Sequence, residues 1–547
     1  PSSPGFQHAI GPVDATGHNG YQRSCIPQLR QTIAPYRQYA LAMSASGHRI
    51  VVGNPGQFSP DFNNNRGWTF AYEWDGANWV AVGDGGGTYG EQPFDDSRTG
   101  SSVAMSADGN RIAVAAPKVP NNDFTVSAGH TRIHAWGLPY DTSPVGRWMN
   151  YLNDLDGEAA DSYVSHVDMS ADGTRVIMAA DGTGSVRVYR EDLNADPVAY
   201  RHGNGGWAIR GAYGDQSEST NLGLPFKGAY VQMGQDIDPE TPYDWDESAQ
   251  SQKRVAISAD GNVIIIGAHL NDGGGTDRGH VRVYEWDPDS TTPASWYVEA
   301  HYVSTTVGFH TGTLVPGGTY TPGTPGRWVQ RGSDLDGTDV GEQMGWVVDT
   351  NHDGSIVAVS SRLHAGSGTN RGRVQVFEWD GTSYNLRGAP LSLSADPRVA
   401  DGDQFGYAMA ISDDGNTLAI SAPYYSPPED PDQSGLHPQF GAGGQVFMAN
   451  WDGTNYVLHD HSFAPGWKAG HNFGKAIAMN AAGTAVVVAG LADPDDETGE
   501  LVCVFGTVQP APPPPPEASV ARMLMTSFVA SGTVESFDTT AFGASLA

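Results

Sequence analysis

One phrase recurs seven times along this chain of 547 residues: an apolar segment, a tight turn that contains glycine, and a second apolar segment. The turn glycines, such as Gly109 and Gly415, each follow a small or acidic residue. Because glycine adopts positive φ without steric cost, this pattern is typical of β-hairpins. The phrase therefore predicts seven hairpins, at residues 39–55, 101–117, 165–181, 253–268, 345–361, 407–423 and 475–491.

A further apolar segment follows every hairpin and predicts a third strand, as at residues 68–74 (WTFAYEW) and 280–286 (HVRVYEW). A fourth strand-like segment is visible in five units, at residues 78–82, 147–152, 206–210, 327–331 and 384–387. Four strands per unit, repeated about every 60 to 90 residues, indicate a radial propeller rather than a sandwich. The predicted fold class is all-β, a seven-bladed β-propeller.

The seventh unit has no fourth strand of its own, because the chain runs into a proline tract shortly after Phe505. A spare strand-like segment, residues 21–30, precedes the first hairpin. We expect it to pair as the outer strand of the last blade, which would close the ring and remove an open edge. Closure would make Cys25 and Cys503 cross-strand neighbours and predicts a disulfide between them. The alternative is two unrelated buried thiols.

These features divide the chain into four parts. Residues 1–30 form an N-terminal arm with the closing strand, and residues 31–507 form the propeller. Residues 508–517 read as a polyproline linker, and residues 518–547 as a strand plus a helix that begins a further domain or docks on another copy. Two long insertions, residues 194–252 and 287–324, are expected either to carry recognition or to pack against neighbouring subunits.

The charge balance is strongly acidic, with 30 Lys plus Arg against 62 Asp plus Glu and a formal net charge of −32. Phosphate binding needs a basic surface, so nucleic acid is excluded as an expected partner. Cations are better candidates, although acidity alone also keeps an extracellular protein soluble. No apolar run is long enough to predict a membrane span. The chain begins Pro-Ser-Ser-Pro without Met, which suggests a processed or a trimmed N-terminus, and we expect a removed leader and secretion.

The units share further short motifs. They include Ser-Ala-Asp-Gly turns, the strand ends at residues 115–117 (AAP) and 421–423 (SAP), and Phe-Gly pairs at residues 405–406 and 473–474. Over most of residues 22–507 these motifs resemble the FG-GAP-like propeller repeats of integrin α-chain heads and of algal and marine bacterial surface proteins. The resemblance implies a seven-bladed ring used for adhesion or assembly, and it does not imply catalysis. The Trp-Asp repeat family is a weaker match, at residues 74–75, 286–287, 379–380 and 451–452.

Two linkers contain Asp-Leu-Asp-Gly followed by further acidic residues. Alternating carboxylates before a glycine are what a calcium loop requires, because Ca²⁺ takes several oxygen ligands and the glycine permits a sharp bend. The alternative is that these residues are turn and cap residues. The integrin-type calcium loop lies within a hairpin, and the hairpins here are too short for it. The candidate ligands are Asp154, Asp156 and Asp161 in the first linker and Asp334, Asp336 and Asp339 in the second.

Catalytic motifs are not found in the sequence. There is no nucleophile elbow in a strand–turn–helix context and no His-Glu-x-x-His, and two cysteines argue against a structural zinc site. We therefore expect no catalytic residue and no cofactor other than calcium. The 14 Trp could stack on sugars, but Trp74, Trp286, Trp379 and Trp451 recur at one repeat position, which favours packing between blades. No Asn-x-Ser/Thr acceptor is present, so expected glycans are O-linked in residues 510–516.

These observations favour a non-enzymatic, extracellular structural or adhesive propeller that assembles into a cell-surface or filament polymer. The expected partners are further copies of the chain or other surface and matrix proteins. The alternative is a soluble propeller that binds a ligand or carbohydrate with the loops around its channel.

Overall fold

The structure is a computed structural model of the chain. It describes residues 23–26, 39–55, 58–59, 64–65, 67–82, 87–89, 97–118, 129–137, 148–152, 154–157, 163–180, 184–193, 229–239, 253–273, 275–290, 296–298, 301–304, 312–315, 318–320, 326–366, 368–393, 400–425, 443–459, 472–490 and 502–506. The predicted polyproline linker and the segment 518–547 lie outside these residues.

The described residues form seven antiparallel sheets, each built on four main strands, which confirms the predicted fold class. We number the sheets as blades 1 to 7 and name their strands first to fourth. Blades 1 to 3 comprise Ala40–Met43, Arg49–Asn54, Trp68–Trp74 and Trp79–Ala81; Val103–Met105, Arg111–Ala116, His130–Trp136 and Trp148–Asn150; and Val164–Met169, Arg175–Ala180, Val186–Asp192 and Ala229–Gln232.

The remaining blades repeat this order. Blades 4 to 6 comprise Val255–Ile257, Val263–Ala268, His280–Asp287 and Arg327–Gln330; Met344–Thr350, Ile356–Ser361, Arg373–Trp379 and Tyr384–Leu386; and Met409–Ile411, Thr417–Ala422, Gln445–Trp451 and Tyr456–Leu458. Blade 7 comprises Ala476–Met479, Ala485–Ala489, Val502–Gly506 and the N-terminal strand Arg23–Cys25. The first strand of each blade contacts the first strand of the next, and blade 7 contacts blade 1, so the ring is closed.

Six short strands lie outside the four-strand order, in addition to three that extend a blade. The extending strands are Gly87–Tyr89, Leu155–Asp156 and Leu335–Asp336, each paired with the third strand of blade 1, 2 or 4. The others form three two-stranded hairpins, Phe58–Ser59 with Asn64–Asn65, Trp296–Val298 with Gly318–Tyr320, and His301–Ser304 with Gly312–Val315. Among the described residues, no helix is long and apolar enough to cross a membrane.

The N-terminal strand closes the ring as predicted. It pairs antiparallel with Val502–Gly506, and its register places Arg23 opposite Phe505 and Cys25 opposite Cys503. Cys503 is disulfide-bonded, and because the chain has only two cysteines its partner is Cys25. The two ends of the propeller are therefore joined by backbone hydrogen bonds and by a covalent bond.

One strand assignment was wrong. The sequence predicted residues 206–210 as the fourth strand of blade 3, but this strand is Ala229–Gln232, and residues 206–210 lie outside the described part of the chain. Both segments are short and largely apolar, so the sequence pattern alone did not distinguish them. All four residues of Ala229–Gln232 are buried, and Tyr230 donates from its hydroxyl to the Gly173 carbonyl of its own blade.

The hydrophobic core lies between neighbouring blades. The second strands are buried on both faces, as in Val263–Ala268 (VIIIGA), because each sheet is covered by the sheets beside it. One cluster combines Ile177 and Val188 of blade 3 with Ile264 of blade 4. The recurrent Trp position belongs to this packing. Trp286 packs on Trp328 of its own blade with ring centroids 5.4 Å apart, and a Cβ at Gly234 of blade 3 would lie 2.9 Å from it.

Arginine side chains connect successive blades at the hairpin turns. Four of them, which we call the latch arginines, each donate from a guanidinium nitrogen to the carbonyl of a turn glycine in the next blade. The pairs are Arg49 with Gly109 (3.2 Å), Arg111 with Gly173 (3.1 Å), Arg175 with Gly261 (2.8 Å) and Arg387 with Gly415 (2.8 Å). The charge-assisted bonds fix the position of each turn relative to its neighbour.

Candidate functional site

The first strands surround a central channel. It has a volume of about 220 Å³ and is lined by side chains from all seven blades, most of them Ala, Val and Met. The turns of the hairpins lie at one end of this channel, which we call the turn end. The residues that begin the first strands lie at the opposite end, which we call the mouth.

The turn end is closed around the axis by a ring of seven backbone hydrogen bonds, each from one blade to the next. The donor–acceptor pairs are Ala45–Ala107 (2.9 Å), Ala107–Ala171 (2.7 Å), Ala171–Ala259 (2.9 Å), Asp260–His352 (3.4 Å), His352–Asp413 (3.0 Å), Asp413–Ala481 (2.9 Å) and Ala481–Ala45 (3.2 Å). At this end, small alanine side chains allow the turns to approach one another. His352 and Asp413 replace alanine in blades 5 and 6, and their side chains lie 3.5 Å apart.

Three charged residues meet inside the channel, and we call them the channel triad. Lys253 Nζ lies 3.1 Å from Asp168 Oδ2 and 2.7 Å from Asp349 Oδ1. Each carboxylate also accepts a backbone N–H from the following blade, Asp168 from Ile257 and Asp349 from Ile411, both at 3.0 Å. The channel triad therefore connects blades 3, 4, 5 and 6.

Burial and the neighbouring charges shift the pKa values of Asp168 and Lys253. Burial raises the pKa of Asp168, and although Lys253 acts against this, the Asp349 carboxylate reinforces it. Burial alone would lower the pKa of Lys253, but the carboxylates of Asp168 and Asp349 outweigh it and raise that pKa above its ordinary value. Lys253 is thus held as a cation between two carboxylates.

The mouth carries a group of cations on aromatic rings, which we call the mouth cluster. The Arg362 guanidinium lies 3.5 Å from the centroid of a Trp346 ring, and Arg254 lies over the same side chain at 5.1 Å. The Trp346 indole N–H donates to the Tyr407 carbonyl at 3.0 Å. The mouth cluster comprises Arg254, His269, Trp346, Arg362, Tyr407, Tyr424 and Lys475.

Burial lowers the basicity of two members of the mouth cluster. It lowers the pKa of His269 well below the ordinary value, with Arg254 and Arg362 adding to the effect. It also lowers the pKa of Lys475 to about 7, again with a contribution from Arg362. Lys475 Nζ donates to the Tyr424 hydroxyl at 2.6 Å and lies 4.1 Å from the Tyr407 ring centroid. Cations and aromatic faces together fit an acidic or cyclic ligand.

The first predicted calcium linker is held by a cation from blade 2. Arg132 binds both oxygens of Asp154, with Nε 2.8 Å from Oδ1 and Nη2 2.5 Å from Oδ2. Burial alone would raise the pKa of Asp154, but Arg132 keeps that pKa below its ordinary value. Asp156 lies in the strand Leu155–Asp156, whose backbone pairs with His130. Asp161 lies outside the described residues.

The second linker divides its acidic residues between two groups. Asp334 and Asp336 lie with His280, whose Nδ1 is 4.0 Å from Asp334 Oδ2. Asp339 lies instead with Glu342 and His364. As in the first linker, Leu335–Asp336 pairs with the start of a third strand, so the Asp-Leu-Asp-Gly motif adds a short strand to blades 2 and 4. The structure therefore does not bring Asp334, Asp336 and Asp339 to one shared centre.

The channel triad was not among the predicted sites, although the repeat contains a signal for it. At the second position before the hairpin Ser or Asn, five units have alanine, whereas blades 3 and 5 have Asp168 and Asp349. A carboxylate in place of a buried alanine needs a partner. The alignment of the units could have shown this exchange, but not that Lys253 would lie between the two acids.

Comparison with known proteins assigns no family to this chain. No family model matches the chain, and no curated protein matches it. Among solved structures, Kuenenia stuttgartiensis hydrazine synthase is similar at 14% identity and a TM-score of 0.42, over 88% of this chain and 98% of that one. The Cps50 (Swd1) β-propeller domain of Myceliophteria thermophila has 8% identity and a TM-score of 0.40, over 89% and 100%.

The WD40 repeats of RRP9 are similar at 9% identity and a TM-score of 0.40, over 89% of this chain and 99% of that one. Likeness at this level supports no inference about ligands, partners or activity.

Proposed function

We propose that this chain is a non-enzymatic, extracellular structural or adhesive propeller that assembles into a cell-surface polymer. The observation that carries the proposal is the covalent closure of the ring at Cys503. Disulfides persist in oxidising compartments and are rare in the reducing cytosol. A cross-link at the point where the two ends of the propeller meet suits a module that must resist unfolding outside the cell.

The outer edges of several blades support assembly. Blades 1, 4, 5 and 6 each present one exposed apolar side chain on the fourth strand, which is the last main strand of its sheet. An edge strand with apolar side chains is a template for pairing with another chain. The residues and exposed fractions are Val80 (47%), Val329 (36%), Leu386 (50%) and Val457 (46%).

The FG-GAP-like motifs and the net charge of −32 are consistent with this assignment. Cell-surface assemblies of that family use the propeller as an adhesive unit, and we propose the same use here, with other copies or surface proteins as partners. The non-enzymatic assignment is supported by the channel triad, because Lys253 and its two carboxylates bind each other rather than an open site.

Sedimentation velocity of the purified chain at increasing concentration tests the assembly. We expect concentration-dependent oligomers, and we expect the double variant V80D/V457D to shift the chain toward the monomer. V340D is the matched control, because Val340 is 71% exposed but lies in the linker before blade 5, outside the fourth strands. A chain that stays monomeric at all concentrations, or equal behaviour of both variants, would contradict assembly through the outer edges.

The mouth cluster favours one second candidate, a propeller that binds an acidic glycan or another acidic ligand at the channel mouth. Arg362, Tyr424 and Lys475 are half-buried, so part of each residue is accessible to solvent. A glycan array with the wild-type chain and R362Q tests this candidate. Retention of the monomer on acidic glycans that R362Q abolishes would favour it over assembly, and the absence of retention would exclude it.

A further inference from the structure

A histidine and two carboxylates converge in the described part of the junction between blades 4 and 5. Asp339 and Glu342 belong to the linker that precedes blade 5, and His364 follows the second strand of that blade. His364 Nδ1 lies 3.1 Å from Asp339 Oδ2 and 3.1 Å from Glu342 Oε2. The three ligand atoms lie within 4.8 Å of one another.

The surrounding structure holds Glu342 in place. Its side chain is only 1% exposed. Oε1 accepts the backbone N–H groups of Thr338 and Asp339, the latter at 3.2 Å, and Arg373 donates to Oε2 at 2.7 Å. A carboxylate fixed in this way by an outer layer of donors keeps its orientation, which is how ligating carboxylates are positioned in metal sites.

The His364 backbone is fixed as well. Its N–H donates to the Ser361 carbonyl at 3.1 Å, and its own carbonyl accepts the N–H groups of Arg371 and Gly372, both at 3.0 Å. The imidazole is therefore presented by a loop whose hydrogen bonds are complete at this point.

His364 Nδ1 lies between two carboxylates. The atom is buried and is equally distant from Asp339 Oδ2 and Glu342 Oε2, so a single ring N–H could bond only one of them. Ligand atoms bound to one metal ion at about 2.1 Å lie roughly 3.0 Å apart at octahedral angles and roughly 3.4 Å apart at tetrahedral angles. The observed spacing of 3.1 Å falls within that range on both sides of the imidazole nitrogen.

We propose that His364 Nδ1, Asp339 Oδ2 and Glu342 Oε2 bind a divalent first-row transition metal ion such as Zn²⁺. A neutral imidazole ligand suits Zn²⁺ and its neighbours, whereas Ca²⁺ takes oxygen ligands and usually six to eight of them. Asp339 is 56% exposed, so the ion can enter from its side and keep water in the remaining positions. In this site Asp339 binds the ion together with Glu342 and His364, and not with Asp334 and Asp336 as the calcium prediction had it. The bound ion would connect the linker to blade 5.

Isothermal titration calorimetry of the intact chain, stripped with EDTA and dialysed, tests the proposal with ZnCl₂, MnCl₂ and CaCl₂. We expect one equivalent of Zn²⁺ to bind more tightly than Ca²⁺. H364Q and D339N should each weaken Zn²⁺ binding by about tenfold or more, as loss of a ligand requires. Because the Asp339 side chain is largely exposed, D339N tests the site without disturbing the core.

H352Q serves as the matched control. His352 also lies beside an aspartate, with Nδ1 3.5 Å from Asp413 Oδ2, but it has no second carboxylate among its described ion pairs. This variant should bind Zn²⁺ as the wild type does. The proposal is overturned if no stoichiometric Zn²⁺ binding occurs, if H364Q and D339N bind as the wild type does, or if Ca²⁺ binds more tightly than Zn²⁺. Thermal unfolding of each metal-free variant verifies that it is folded.

Discussion

Cys25 of the N-terminal strand lies directly opposite Cys503 of the third strand of blade 7, so residues from the two ends of the propeller are neighbours. The covalent bond at Cys503 therefore restricts nearly the whole unfolded chain. In the chain-entropy model, closing a loop of this length stabilises the fold by about 6 kcal/mol.

The paired substitution C25S/C503S should lower the free energy of unfolding by an amount of that order. Guanidinium denaturation of the variant and of the wild type, with and without reductant, measures the loss. Reduced wild type should match the variant, and oxidised wild type should be the more stable. Equal midpoints for oxidised and reduced wild type would show that the cross-link does not stabilise the ring.

The latch arginine Arg387 offers a test of the connections between blades. Its guanidinium lies 4.4 Å from the Trp451 ring centroid and donates to the Gly415 carbonyl, the Tyr456 hydroxyl and Asn416 Oδ1. We expect R387A to cost roughly 2 to 3 kcal/mol of stability, and R387K to recover little because lysine lacks the planar fork.

R371A is the control for that measurement. Arg371 Nε lies 3.0 Å from Asp401 Oδ1, but the Asp401 side chain is 58% exposed. An exposed pair of this kind contributes about 1 kcal/mol or less. If urea denaturation gave equal losses for R387A and R371A, the latch arginines would not connect the blades as described.

The channel triad predicts a pH-dependent effect of removing its cation. K253M leaves Asp168 and Asp349 without the charge between them. Because the Lys253 side chain is 35% exposed, we expect a cost of roughly 1 to 3 kcal/mol, below that of breaking a fully buried pair. Repulsion by the Asp349 carboxylate raises the pKa of Asp168. The deficit of K253M should therefore shrink as the pH falls and Asp168 is protonated.

Thermal unfolding between pH 4 and pH 8 measures this dependence, and D168N/K253M/D349N provides the control. Its uncharged amides can still accept the N–H groups of Ile257 and Ile411, so much of the lost stability should return. A deficit of K253M that is constant with pH would mean that charge repulsion in the channel is not its cause.

The aspartates of the hairpin turns predict how the stability of the fold falls at acid pH, which we call the acid limb of the stability curve. Burial would raise the pKa of Asp108, Asp172, Asp260 and Asp414, but hydrogen bonds from the serine hydroxyl and the backbone at each turn hold these values below the ordinary one. Groups with a folded-state pKa below the unfolded value stabilise the fold above about pH 4, and this contribution is lost as the pH falls through the folded values.

We therefore expect D172N to flatten the fall in stability below about pH 4, as followed by acid titration of the circular dichroism signal. The turn of blade 7 has Ala482 at the equivalent position, so A482N should leave the acid limb unchanged. An acid limb that is identical in the wild type and D172N would contradict the role assigned to the turn carboxylate.

The blades could be predicted from the sequence because the residues that specify each hairpin are close together in the chain. A turn glycine between two apolar segments, as at Gly109 or Gly415, specifies a hairpin wherever it occurs. Ring closure was also predictable, because the seventh unit has no fourth strand of its own and the N-terminal strand belongs to no other unit. The fourth strand of blade 3 was not, since a long insertion separates Ala229–Gln232 from the repeat and its burial depends on the neighbouring blade.

The contacts between blades could not be predicted in the same way. Asp168, Lys253 and Asp349 belong to three different units, and their 3.1 Å and 2.7 Å separations result from the curvature of the ring. The acidic linkers were read as one type of site, yet Arg132 binds Asp154 whereas Asp339 lies beside His364. The local motif is the same in both linkers, and the residues opposite it decide its role.

Mass photometry with negative-stain microscopy on native material, with and without a calcium chelator, tests the assembly proposal most directly. We expect ordered polymers of closed rings, and loss of those polymers on chelation would show that bound divalent ions support the assembly. Monodisperse single rings under both conditions would contradict the proposed structural role and favour ligand binding at the channel mouth.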